Sequence, residues 1–351
     1  MMDNKITNSL PLRILHCAGF HLRKYAGWYE SVDSKLSRGL TLNGHLVYEF
    51  SYRDVARAEA ILPTKKLGNR KANQRLIEAA RNLVPDLLLL GHSETIHNDT
   101  IRQIRREHPK MKVAMWYCDA IWLPKRMALL QSKREIADVI FATTGGSMLK
   151  EFASSTCRTS YFPNPVDSAI ECYKSFERSS WEHDLFFAGT EKGAPERTHL
   201  LREILANPEG DLRVRIHKAF GEPAIGGHAY LAAIAKSMTA LNLSNRWDVP
   251  WYSSDRLAHI VGNGTAAICP RTTGLPELLG EGGAIWFENP GQLQRCLRSL
   301  IAEPDQAREI GRAGWQRLHQ IASSKEVAGW MLEFLYEKTE RPVCWASERV
   351  V

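Results

Sequence analysis

The chain is predicted to be an α/β protein of two successive doubly wound parallel-sheet domains, and three observations predict it. Apolar runs of strand length alternate with helix-period stretches from residue 12 to residue 162, the pattern of repeated βαβ units. A second series of the same kind begins at His183. A length of 351 residues exceeds a usual single domain and suits two such halves.

In the first half the strands fall at Arg13 to Cys17, Leu46 to Phe50, Asp86 to Leu90, Lys112 to Trp116, Asp138 to Phe141 and Arg158 to Phe162. Helices lie between them, near Tyr29 to Asn43, Asn69 to Leu83, Asn98 to His108 and Gly146 to Ala153. Asn43-Gly44 stops the first of these, since both residues accept the left-handed backbone of a helix end. In the second half strands are expected near Leu185 to Ala188, Leu212 to Ile216, Ala240 to Leu243, Ala266 to Cys269 and Ala284 to Phe287. Pro304 to Gln320 reads as a helix, and Lys325 to Lys338 as a last one with Val327, Trp330, Met331, Phe334 and Leu335 on one face. The tail after Arg341 is expected to be poorly ordered.

An apolar fraction of 44% and a charged fraction of 24% are those of a soluble globular protein. No apolar run approaches the ~20 residues that span a bilayer, and Ile14 to Cys17 lacks the long apolar core of a signal peptide. The seven cysteines are scattered without a C-x-x-C pair, so neither a disulfide framework nor a zinc site is indicated. A reduced, cytoplasmic setting follows. Charge is unevenly spread: residues 1–165 hold 25 Lys and Arg against 15 Asp and Glu, a net +10, whereas the remainder holds 21 against 24, a net −3. The basic half is either an ordinary solvated surface or one drawn to an anionic partner such as a phospholipid leaflet, a phosphorylated glycolipid or nucleic acid.

The tract from His183 to Gly264 carries most of the chemistry. A buried strand ending at Gly189 leads into a polar loop with Lys192 and a helix entered at Arg197, which is how a doubly wound sheet presents amides and cations to a phosphate beyond its strand ends. The next strand ends around Asn242 and Ser244, and a helix opens at Ser253-Ser254-Asp255-Arg256. Lys192, Arg197 and Arg256, with the amides near Ser253-Ser254 and Gly274-Leu275, are the candidate diphosphate ligands. Alternatively Lys192 and Arg197 are exposed helix-start residues and Arg256 pairs with Asp255 or Glu277. No Asp-x-Asp pair follows a strand, so no metal is expected to bridge the diphosphate.

These blocks, in this order, resemble GT-B glycosyltransferases, with two Rossmann-like domains facing across a cleft; the resemblance is to the glycosyl transferases group 1 and the CgeB-like (spore maturation protein-like) proteins. Arg256-Leu257-Ala258-His259 resembles the family's Arg-x-x-Glu, with histidine where the ribose-holding glutamate stands. Thr273-Gly274-Leu275-Pro276-Glu277-Leu278 resembles its Gly-Ile/Leu-Pro-Glu turn, and Glu288-Asn289-Pro290 with Leu293 its next helix start. Phe162-Pro163-Asn164-Pro165-Val166-Asp167 resembles the interdomain hinge, and Leu36 to His45 the family's first helix end. The resemblance implies an N-terminal acceptor domain (1–165), a nucleotide-sugar donor domain (166–324) and a C-terminal helix and tail (325–351) crossing back. It also implies metal independence, with the nucleotide sugar as co-substrate and no cofactor.

The acceptor half holds the candidate catalytic base. Asp119 lies just past a strand end in Trp116-Tyr117-Cys118-Asp119, which resembles a Trp-x-x-Asp of CgeB-like proteins; it alternatively caps the next helix or pairs with Lys125 or Arg126. His92, past the preceding strand, is the competing base. The loop with Phe20, His21, Lys24, Tyr25 and Trp28 is dense in aromatics and cations, and in the family this position faces the cleft, so it is the expected acceptor contact. The expected activity is sugar transfer from a nucleotide sugar to a saccharide or glycolipid acceptor in lipopolysaccharide or capsule-type synthesis, peripheral to the inner face of the plasma membrane. The alternatives are a nucleotide-sugar epimerase of the same fold and a non-enzymatic nucleic-acid-binding protein, the latter lacking any recognition motif.

Overall fold

The computed structural model describes residues 10–60, 65–206, 212–271, 274–338 and 343–345. The first sheet is built from β1 (Arg13–Ala18), α1 (Val32–Leu42), β2 (Leu46–Ser51), α2 (Tyr52–Ala58), α3 (Lys65–Leu83), β3 (Leu87–Gly91), α4 (Asn98–Glu107), β4 (Lys112–Tyr117), α5 (Pro124–Lys133), β5 (Val139–Ala142), α6 (Ser147–Lys150) and β6 (Arg158–Tyr161). Its six strands are all parallel in the order β2-β1-β3-β4-β5-β6. The second follows as β7 (His183–Ala188), α7 (Pro195–Ala206), β8 (Val214–His217), α8 (Gly227–Ala235), β9 (Ser237–Leu241), α9 (Arg256–Gly262), β10 (Ala266–Pro270), α10 (Pro276–Leu279) and β11 (Ile285–Phe287). Its order is β11-β10-β9-β7-β8, again all parallel. Then come α11 (Pro290–Ala302), α12 (Pro304–Ile321) and α13 (Ser324–Leu335). The expectation of two doubly wound parallel sheets is met.

The two-residue period of a strand explains the layers. On β1, β3 and β4, Ile14, Leu87, Leu89, Ala114 and Trp116 face one way and pack with Leu36 and Leu40 of α1 and Ala328 and Met331 of α13. Leu15, Cys17, Leu88, Leu90, Val113 and Met115 face the other way, against Leu76 of α3, Ile101 and Ile104 of α4 and Leu130 of α5. Burial on both faces is why β3 reads as an unbroken Leu-Leu-Leu-Leu.

Helix α13 packs on the first sheet although it follows the second. Its start is fixed by Val166, whose N–H donates to Ala322 O at 3.0 Å and whose carbonyl accepts from Ser324 N at 2.7 Å. The Ser324 hydroxyl donates to Asp167 Oδ2 at 2.6 Å, and Arg158 Nη2 donates to Phe334 O at 2.8 Å. The α1–α13 crossing is so close that a Cβ on Gly39 would stand 2.0 Å from Ser324 O.

Several local expectations are corrected. Helix α1 begins at Val32, not Tyr29, because Ser31 accepts from Ser34 N and caps it. The stretch 146–153 forms only the single turn α6. Helices α2 and α8 carry no sequence expectation; α5, the helix after Asp119, starts on Pro124, which favours the first helical position. Trp345, in the tail expected to be poorly ordered, is buried at 1% exposure in the core; Pro342 and residues 346–351 of that tail, and Thr273 of the predicted turn, lie outside the described residues. None of the seven cysteines is paired.

Candidate active site

Strand order reverses between β7 and β9 in the second sheet, and open α/β sheets bind ligands at such a reversal beyond the carboxyl ends of the strands. A cleft of about 260 Å³ lies there, walled by Gly189, Thr190, Arg197, Lys218, Ser244, Ser254, Asp255, Arg256 and His259 from the second half and by Trp28, Glu30 and Ser31 from the first.

Two guanidinium groups converge on one carbonyl at this edge. Arg256 donates from Nε to Ala188 O at 2.8 Å and from Nη1 to Leu243 O at 3.0 Å, with its guanidinium carbon 4.9 Å from the centroid of Phe187. Arg197 is buried and donates to the same Leu243 O at 3.2 Å and to Thr190 O, while its Nε has no partner. Neither makes an ion pair with a carboxylate among the described residues, so the alternative pairing of Arg256 with Asp255 or Glu277 is not seen. Burial and the adjacent Arg256 charge lower Arg197 to about 10, which leaves it cationic at neutral pH. Two fixed cations without a carboxylate in ion-pair contact are arranged for an anion.

Lys218 adds a third cation that sequence reasoning missed. It is an exposed cleft residue just past β8, held at φ +64° with its N–H on Glu222 O and Pro223 O; non-glycine residues held in that region concentrate at functional sites. Lys192, by contrast, is exposed on its loop and is not among the cleft walls. Asn242 is buried, its Oδ1 accepting from Ser254 Oγ at 3.4 Å, and Ser253 is buried against Asn164 Nδ2. Gly274, Leu275 and Glu277 stand outside the cleft, with Leu275 in the core and Glu277 exposed. Helices α9 and α10 have seven and four residues, too short for the dipole role expected of their amides near Ser253-Ser254 and Gly274-Leu275.

His259 is committed to a buried ionic cluster. Its Nδ1 lies 2.8 Å from Glu171 Oε1, which also takes Lys35 Nζ, and its Nε2 lies 3.9 Å from Asp255 Oδ2. Lys35 donates further to Pro165 O at 3.0 Å, so the cluster ties α1 to the hinge and to α9. Burial and Lys35 oppose protonation of His259, but Asp255 and Glu171 outweigh them and raise its pKa. The imidazole sits in the cleft wall as part of this buried cluster.

In the first half, the base candidates sit together past β3 and β4. His92 Nδ1 is 3.6 Å from Asp119 Oδ2, and Arg126 Nη2 is 3.2 Å from the same oxygen. Helix α5 is entered from Leu123, so Asp119 does not cap it. His92 and Ser93 have φ of +57° and +45°. Neither Asp119 nor His92 walls the 260 Å³ cleft, but their loop borders it: Trp122 packs edge-on against the cleft residue Tyr252, with ring centroids 4.7 Å apart.

Of the aromatic loop, only Trp28, 45% exposed, reaches the cleft wall. Phe20 is in the core against His16, Tyr25 is 91% exposed, Lys24 is exposed and His21 stacks at 5.6 Å on Trp28. Glu30, Tyr230 and Tyr252 are cleft residues that no sequence signal singled out. Among the described residues no group of three or more His, Cys, Asp or Glu could hold a metal ion, and no helix is long and apolar enough to cross a membrane.

The two facing parallel sheets define a GT-B fold. An alpha-glucosyltransferase solved with UDP-glucose and DNA containing an abasic site superposes with a TM-score of 0.64 at 13% identity over 92% of this chain and 98% of that one. A UDP-forming trehalose-phosphate synthase from Burkholderia xenovorans gives 0.59 at 11% identity over 94% and 100%, and Anabaena HepE with UDP and glucose gives 0.58 at 11% over 93% and 99%. Within that fold, residues 197–333 match the family described as glycosyl transferase-like. No curated protein matches the chain.

Proposed function

We propose that this chain is a GT-B glycosyltransferase that takes a sugar from a nucleoside diphosphate donor and passes it to a saccharide or glycolipid acceptor over the basic N-terminal half, in synthesis of a cell-surface polysaccharide of lipopolysaccharide or capsule type. The observation that carries this reading is the pair of carbonyl-held guanidiniums, Arg197 and Arg256, meeting at Leu243 O on the sheet's reversal point. Held by carbonyls before any ligand arrives, they stabilise charge developing on a leaving diphosphate without reorganising, and Lys218 closes on it from β8. Fixed cations in that place make the transfer metal-independent. The match over residues 197–333 supports sugar transfer, and membership of the narrower CgeB-like group is part of this proposal.

Asp119 is the proposed base. In an inverting transfer it accepts the proton of the acceptor hydroxyl as that oxygen attacks the anomeric carbon and the bond to the diphosphate breaks. Arg126 and His92 position its carboxylate. The enzyme works from the cytoplasm, with the net +10 of residues 1–165 holding it to the anionic inner leaflet. The test measures nucleoside diphosphate release from a panel of nucleotide sugars in EDTA, with and without glycolipid acceptors. Release that requires acceptor supports transfer; acceptor-independent release, or conversion of the sugar without release, contradicts it.

A further inference from the structure

Glu30 is a cleft residue with half of its carboxyl unused. It lies between Trp28 and the cap of α1, 4% exposed, on the part of the cleft wall that the first half supplies. Its Oε1 accepts from Gly227 N at 2.9 Å, across the two halves. That N–H opens α8 from a residue at φ +60°, a backbone that glycine adopts without strain. Its Oε2 is buried and has no hydrogen-bond partner. Buried carboxyl oxygens are nearly always satisfied, so an orphan in a cleft wall points to a donor that arrives with a ligand.

We propose that Glu30 Oε2 receives a sugar hydroxyl of the bound sugar nucleotide. This rests on the donor reading above and deepens it. A carboxyl repels phosphate but accepts readily from a hydroxyl, so the partner is the glycosyl or ribosyl part of the donor and not its diphosphate. Trp28, on the same wall, adds an apolar face of the kind that stacks on a sugar ring. The terminal torsion of glutamate is a broad rotor, so the carboxyl adjusts readily to an incoming hydroxyl. The other carboxyl of the cleft wall, Asp255, is engaged by His259.

The test uses Glu30→Gln, which keeps an oxygen for Gly227 N–H and replaces the free acceptor with an NH2 donor. Affinities of wild type and variant are measured by calorimetry for UDP, UDP-glucose, GDP and GDP-mannose, taking the pair that wild type binds. Loss of a hydrogen bond to a carboxylate predicts about tenfold to a hundredfold weaker binding of the nucleotide sugar with an unchanged melting temperature. If the nucleoside diphosphate alone weakens equally, the hydroxyl is the ribose's; if only the nucleotide sugar weakens, it belongs to the transferred sugar. Equal affinities in wild type and variant overturn the inference while leaving the donor reading intact. Absence of any nucleotide binding by wild type overturns the donor reading and this inference with it. Deoxygenated donors on wild type give a second readout that needs no folded variant: removing the matching hydroxyl must weaken binding, and a full deoxy series bound as tightly as the parent contradicts the assignment.

Discussion

Single residues separate charge used for binding from charge used for structure. Lys218 is exposed with no ion pair among the described residues, so Lys218→Ala is expected to weaken nucleoside diphosphate binding by about tenfold and leave the melting temperature unchanged. Arg256→Ala is expected to weaken binding by more than roughly tenfold and also to destabilise by ~1–3 kcal/mol, because Ala188 O loses the Arg256 donor and Leu243 O loses one of its two; calorimetry and urea unfolding separate the two effects. Asp119→Asn removes the proposed proton acceptor and is expected to lower kcat by ~10²–10⁴-fold with donor affinity unchanged; a near-normal kcat transfers the role to His92. Proton linkage gives a further expectation. His16 accepts from Trp116 Nε1 at 2.9 Å and lies 2.7 Å from Ser37 Oγ, and burial holds it down at about 3. The folded imidazole therefore stays neutral while the unfolded one takes a proton below about pH 6.5, so His16 contributes stability above that value that is lost as pH falls toward 3. His259 has the opposite sign: its raised pKa favours the folded state below its unfolded value, and that contribution is lost as pH rises through the folded one. His16→Gln is expected to flatten the acid limb of urea stability between pH 4 and 6.5 by about one proton. Arg197 and Arg256 were legible because each stands in the first turn of a helix that follows a strand end. Lys218 and Glu30 were not, since a lone lysine past a strand and a glutamate before a helix cap read locally as surface residues, and only the meeting of the two halves puts them in one cleft.

At the scale of elements, apolar periodicity was sufficient for strands and weaker for helices. Continuous runs such as Leu87 to Leu90 are buried on both faces by their neighbours in the sheet, so composition alone marks them. Helix α8 reads Gly-His-Ala-Tyr-Leu-Ala-Ala-Ile-Ala, almost without a polar face, because it is packed between the sheet and the cleft, and a helix without amphipathic period gives no signal of its own. The α1–α13 crossing explains why Gly39 lies mid-helix despite its low helix propensity. Gly39→Val places atoms onto Ser324 O, so it is expected to lower stability by about 1–3 kcal/mol or more; an unchanged melting temperature would mean that the crossing is looser than 2.0 Å to that oxygen implies.

For the whole molecule, the two halves divide the work by charge and by strand-end chemistry. The order of strands around each reversal follows from parallel βαβ winding, so the location of the cleft was implied once the elements were known. Its inner surface was not, because it forms where segments far apart in sequence meet, as in the Glu30–Gly227 bond with its separation of 197. The central claim is that this cleft holds a nucleoside diphosphate sugar on Arg197 and Arg256 without a metal. The most direct measurement is thermal and chemical stability with UDP- and GDP-sugars in EDTA, for wild type and Arg256→Ala. A donor at ~100 times its Kd is expected to stabilise wild type by about 2.7 kcal/mol, unchanged by EDTA and largely absent in the variant. No shift with any nucleotide, a shift that needs added metal, or equal shifts in both proteins would contradict it.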